Sequence, residues 1–150
     1  MPGMPMADQT LFQKILSGEI PGNFLCRGEG WGSFLDVFPR AEGHTLVVLE
    51  NASQRLADLS DVDLGILFSA VKQTQGILSR YFQTEDFTII IHDGPLAGQE
   101  IPHVHVHVIP RIKDDGGLAL PAMFPKANPS NPPDFAALSD LCQKIKGGSK

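Results

Sequence analysis

The stretch IPHVHVHVIPR, residues 101–111, holds three of the chain's five histidines, His103, His105 and His107, each followed by a valine. Alternation at period two marks a strand, whose side chains point to opposite faces in turn. The spacing predicts a strand over 103–110, ended by Pro110, with the imidazoles on one face and Val104, Val106 and Val108 turned to the core. Along such a strand His103 and His107 stand about 13 Å apart, at about 3.3 Å per residue. A single zinc ion with bonds of about 2 Å would need both outer rings bent hard toward the middle one. No second cluster of Cys, Asp or His lies near in sequence to supply other ligands. A solvated polar edge is the bland alternative, and three of five histidines at strict alternation argue against it. Chemistry on phosphate fits better. Neutral imidazole is a nucleophile at about pH 7, its neighbours can donate hydrogen bonds to phosphate oxygens, and like-charge crowding disfavours protonating the whole row.

Outward from this strand, FTIIIH (87–92) is a strand candidate, joined to it by the loop DGPLAGQEI with Gly94, Pro95 and Gly98. NFLCR (23–27) and WGSFLDVF (31–38) are strands parted by the turn signal GEG at 28–30, and HTLVVLE (44–50) is a further one. One long helix runs from Asp61 to Phe82, with Ser60 as N-cap and Asp61 and Asp63 in the first turn, where the helix dipole favours negative charge. Its apolar stripe is Leu64, Leu67, Phe68, Val71, Leu78 and Phe82, and a helical turn around SQRLADL precedes it. TLFQKILSGEIPG reads as a short helix with Leu11, Phe12, Ile15 and Leu16 on one stripe, stopped by Gly18 and Pro21. Residues 1–10 are a flexible tail and 11–150 a single domain. Within it, 114–133 is a Pro/Gly-rich connection and 134–146 a last helix, capped by Asp134 and burying Phe135, Leu138, Leu141 and Ile145. Sequential strands around one long helix, without βαβ alternation, give an α+β class with a mostly antiparallel five-stranded sheet.

Bulk properties narrow the function. The formal net charge of −5 argues against a protein built for the nucleic-acid backbone, although a local donor cluster could still hold a small anionic nucleotide. Cys26 and Cys142 lie far apart and form neither a disulfide framework nor a zinc signature. The N-terminus MPGMPMADQ has no basic flank and no apolar h-region, and no apolar run approaches a membrane span. The expectation is a cytoplasmic chain with no membrane partner.

The residues then point to a family. HVHVHVIP resembles the His-φ-His-φ-His-φ-φ signature (φ apolar) of the histidine triad, or HIT, superfamily of nucleotide hydrolases and transferases. LFQKILSGEIPG looks like the family's N-terminal helix, and SFLDVFPRAEGHTLVV resembles its Asp-containing strand with a Gly-His turn. DGPLAGQEIPHVHVHVIPR is similar to the loop and strand of the fragile histidine triad branch and of bacterial HIT proteins, so the likeness covers about residues 11–112. The resemblance implies a HIT fold and a nucleotidyl-histidine intermediate on His105, held by a backbone carbonyl. It implies that His107 hydrogen-bonds the phosphate and the leaving side, and that His103 and His44 support the strand and the nucleophile. It places Asp36 at the ribose hydroxyls, Phe34 and Val37 at the base, and Gln99 near the phosphates.

Two positions depart from the family pattern. His92 stands where relatives carry Asn or Gln, which would make activity on polyphosphates depend on pH. The paired cysteines that bind zinc in some bacterial relatives are missing from TLFQKI, so no metal is expected. His at position 107, where uridylyltransferase relatives carry Gln, favours hydrolysis over transfer. The implied function is cleavage of a purine dinucleoside polyphosphate or a nucleoside phosphoramidate at the α-phosphate, by a homodimer whose sheets join edge to edge. No cofactor is required, though a phosphate-bound divalent cation could accompany polyphosphate substrates. The rival readings are a non-catalytic nucleotide sensor and, further off, a metal-binding protein.

Overall fold

Helix α1 (Leu11–Ser17) starts at a reciprocal cap. Thr10 Oγ1 accepts the Gln13 N–H while the Gln13 side chain accepts the Thr10 N–H, pairing two donors that a helix start leaves open. Phe12, Ile15 and Leu16 are buried, whereas Leu11, at the edge of the same stripe, is exposed. This computed structural model describes residues 8–127 and 131–148, so most of the tail expected over 1–10 lies outside the described residues. The chain divides into two units, Met1–Gly117 and Leu118–Lys150.

The first unit carries a five-stranded sheet: β1 (Phe24–Gly28), β2 (Trp31–Leu35), β3 (Thr45–Leu49), β4 (Phe87–Ile90) and β5 (His105–Pro110). The strand order is β1-β2-β3-β5-β4 and every pairing is antiparallel. Helix α2 (Asp61–Phe82) opens with the Ser60 side chain accepting the Asp63 N–H, as its sequence implies. Leu67, Val71 and Leu78 meet the sheet, but Phe68, expected on the same stripe, is 47% exposed because Ala70 and Thr74 take the buried face in its stead.

Two apolar clusters flank the sheet. Under α2 lie Val47, Leu49, Val104, Val106 and Val108 with Leu67 and Val71, and on the other face lie Phe12, Leu16, Phe34, Leu46 and Val48. Register ties this division to the histidines, because residues directly opposite in an antiparallel pair share a face. Val47 opposes Val106 on the α2 side, whereas Val48 opposes His105 and Leu46 opposes His107 on the α1 side. Burying each valine contributes about 1.5–3 kcal/mol. A one-residue slip would forfeit that and thrust imidazoles into the α2 core.

Three expectations are corrected. Strand β2 ends at Leu35, not Phe38, because Asp36 Oδ1 accepts the Phe38 N–H and turns the chain. Strand β5 begins at His105, not His103: the His103 N–H bonds locally to the Ile101 carbonyl and the Val104 N–H goes to Ser53, so neither joins the ladder. In the second unit, helix α3 (Phe135–Lys146) is capped by Asp134 as expected, but Phe135, Leu138, Leu141 and Ile145 are all exposed. The connection before it forms one short 3₁₀ turn at Leu120–Met123, and its residues 128–130 lie outside the described residues. No helix among the described residues is long and apolar enough to cross a membrane.

Candidate active site

Four imidazoles gather on the α1 face of the sheet. The ring centroids of His105 and His107 are 5.0 Å apart, that of His107 is 5.1 Å from His44 and 5.3 Å from His92, and that of Phe12 lies 4.8 Å from His105, the two planes steeply inclined. His44 arrives at the head of β3 through the turn at Gly43, whose φ of +87° suits glycine. A Cβ at Gly43 would lie 2.4 Å from the Phe82 ring, so a side chain there has no room.

Hydrogen-bond partners assign the tautomer of each ring. The nitrogen facing a carbonyl must carry the hydrogen, since a carbonyl only accepts. His105 Nδ1–H therefore donates to the His103 carbonyl at 2.7 Å and leaves Nε2 with a free lone pair. His103 Nε2–H donates to the Leu49 carbonyl at 2.7 Å. His44 Nδ1 accepts the Arg40 backbone N–H at 3.0 Å, so Nε2–H is its donor and reaches His107 Nδ1 at 2.9 Å. His107 is then left with Nε2–H, buried and without a partner among the described residues. A bare nucleophilic nitrogen on one ring thus stands beside an unspent donor on the next.

Electrostatics reinforce the neutral forms. Burial lowers the His107 pKa from 6.5 to about 4, helped by the neighbouring His105, His44 and His92 and opposed by Asp36. Burial likewise lowers His105, against the pull of its carbonyl partner, and also lowers His103 and His44. Desolvation disfavours the charged imidazolium, and crowding of like groups adds to it.

The other candidates fall in different places. Asp36 Oδ2 lies 3.5 Å from His44 Nε2, so the carboxylate joins the histidine cluster. Gln99 is tied to the strand of chain beside it, its Nε2 donating to the Gln54 carbonyl at 2.8 Å, and its Oε1 is buried without a partner among the described residues. The ring of His92 sits over Gly98, at the foot of the same loop. Phe34 is 3% exposed and packed between Phe12 and Phe24, whereas Val37 is 74% exposed beside Asp36. His103 and His44, expected to act as one supporting pair, support different rings: His103 holds His105 and His44 holds His107. Three residues escaped the sequence reading: Phe12 beneath the rings, Arg40 through its amide, and Thr10 against His103. Only Phe12 carried a signal, as part of the apolar stripe of α1.

Asp36, His44 and His107 bring one ligand atom each within 4.8 Å of one another, the closest approach to a cation site among the described residues. The 2.9 Å contact between the two imidazoles is a hydrogen bond, so a cation would have to displace its proton.

Comparison with known proteins places the chain. The family model described as HIT domain matches residues 17–114. The chain is 42% identical over 83 residues to an asymmetrical bis(5′-nucleosyl)-tetraphosphatase of Schizosaccharomyces pombe, a match spanning 55% of this chain but only 46% of that protein. It is 30% identical over 140 residues to an adenosine 5′-monophosphoramidase of Candida albicans, covering 91% of this chain and 88% of that one. Among solved structures, a HIT family protein from Bacillus anthracis superposes with a TM-score of 0.78 at 27% identity, covering 97% of this chain and all (100%) of that one.

Proposed function

The chain belongs to the HIT domain family, and on that footing we propose that it is a nucleotide hydrolase working in two displacements at an α-phosphate. In the first, the His105 Nε2 lone pair forms a bond to phosphorus as the bond to the leaving group breaks. In the second, water attacks the nucleotidyl-histidine, the P–N bond breaks, a nucleoside monophosphate departs and a water proton passes to solvent. The observation that carries the reading is the His105 Nδ1–H spent on the His103 carbonyl, which leaves the Nε2 lone pair free. Low proton affinity keeps that nitrogen available at neutral pH.

His107 takes the complementary part. Held neutral by burial, it offers its Nε2–H to a phosphate oxygen and to the leaving side, stabilising charge as it builds. Asp36 accepts from the ribose hydroxyls, Gln99 and His92 lie along the phosphate chain, and Phe34 and Val37 serve the base. The names of the relatives, a bis(5′-nucleosyl)-tetraphosphatase and an adenosine 5′-monophosphoramidase, support the two substrate classes proposed here, a purine dinucleoside polyphosphate or a nucleoside phosphoramidate. The covalent step needs no cofactor, and a divalent cation accompanies only the polyphosphate substrates. The functional unit is a homodimer joined edge to edge through the sheet, whose outer strands among the described residues are β1 and β4.

Incubation with a diadenosine polyphosphate or an adenosine phosphoramidate, followed by mass spectrometry, tests the central step. The expected product is an adenylate on His105, with turnover falling at least ~10³-fold in His105→Ala. Nucleotide binding without turnover of either substrate would replace the hydrolase with a sensor.

A further inference from the structure

Thr10 caps α1, yet its hydroxyl also touches the first imidazole of the triad. Oγ1 is 2.7 Å from His103 Nδ1 and 3.2 Å from the Gln13 amide nitrogen. The opposite ring nitrogen of His103 already donates to Leu49, so Nδ1 is the acceptor and the threonine O–H is the donor. One atom thus spends its hydrogen on the triad and a lone pair on the start of α1. His103 is fully buried, its ring centroid 5.5 Å from that of Phe12, and both of its ring nitrogens are occupied by protein partners.

The position of this residue gives the bond its consequence. The ladder with β3 begins only at His105, and the His103 N–H bonds locally to Ile101. Residue 103 is therefore anchored by its ring, whereas pairing with β3 holds the chain only from His105 onward. Its carbonyl is the acceptor that holds His105.

We infer that Thr10 is a positioning residue for chemistry at His105, acting through His103. The hydroxyl fixes the His103 ring, the ring fixes the peptide of residue 103, and that carbonyl keeps the His105 Nδ1–H occupied and its Nε2 aimed. The inference rests on the nucleotidyl-histidine reading and adds to it a residue from a different element, 93 positions away.

Three variants test it: Thr10→Val, which keeps the shape and loses the hydroxyl; Thr10→Ser, which keeps the hydroxyl; and Gln13→Ala, which removes the other half of the helix cap. The readouts are kcat and KM on adenosine phosphoramidate and the imidazole ¹⁵N resonances of His103 and His105. Thr10→Val is expected to lower kcat about tenfold with KM held within about twofold, because a small misplacement of a reacting group acts on the chemical step. It also moves the His103 Nδ1 resonance toward that of an unbonded nitrogen. Thr10→Ser restores both, and Gln13→Ala leaves kcat within about twofold of the parent. Equal losses in Thr10→Val and Gln13→Ala would reduce Thr10 to a helix cap, and an unchanged kcat or an unchanged His103 signal would end the proposal. Should the parent turn over no nucleotide at all, the hydrolase reading fails by itself. The His105 Nδ1–H resonance in Thr10→Val then decides the positioning role: displaced, it stands; unmoved, it falls.

Discussion

Lowering the pH through the window from 6.5 to about 4 is expected to destabilise this protein through its buried imidazoles, His107 foremost. An unfolded chain takes up a proton on this histidine at its ordinary pKa of 6.5, whereas the folded chain resists until about 4. The native state therefore binds fewer protons across that window, and stability falls as pH falls through it, being fully present above 6.5. At about 1.4 kcal/mol per unit the shift corresponds to about 3 kcal/mol, and solvent screening of a partly buried ring brings this to about 2 kcal/mol. His44, His103 and His105 are lowered in the same direction and add to the slope. Urea unfolding from about pH 7.5 to about pH 4.5, on the parent and on His107→Gln, measures the difference. The parent is expected to lose about 2 kcal/mol more than the variant, which cannot titrate there. Parallel stability curves would refute the reasoning, since they would mean that burial does not hold His107 neutral.

Two further outcomes follow from the same geometry. In His44→Ala the His107 Nδ1 loses its donor, its tautomer is no longer set, and kcat is expected to fall by up to about 10²-fold while KM changes little; steady-state kinetics decide, and a change confined to KM would make His44 a binding group. Gly98→Ala forces a side chain onto a φ of +102°, with its Cβ 3.4 Å from His92 Nδ1, at a cost on the order of 1–3 kcal/mol; a melting temperature unchanged from the parent would show that the loop is not held in that conformation.

Much of this molecule is legible in residue order alone. The alternation at 103–110 told which side chains share a face and that the valines pack into an apolar core, because side-chain period is a local property of a strand, but not that a second apolar cluster covers the histidine face as well. Ser60 and Asp134 marked helix starts correctly, since capping is decided within one turn. The failures have a common form. An amphipathic period at 134–146 says that one face is apolar, not that anything covers it, and all four of its apolar residues are exposed. The strand was drawn two residues long at its start because the ladder's reach depends on a partner elsewhere in the chain.

The chemistry divides along the same line. Residue order by itself settled that imidazoles would stand in a row and which family the chain resembles, and it is that resemblance that proposes the middle one for attack on phosphorus. Only the tertiary structure decided which nitrogen of each ring holds a hydrogen. For His103 and His107 the partners that set it are remote, the Leu49 carbonyl 54 positions from His103 and His44 63 positions from His107, whereas His105 takes its tautomer from the His103 carbonyl two residues away. A hydrogen bond is specified by distance and direction within a few tenths of an ångström, and such proximity between remote residues exists only once the sheet has closed on its register.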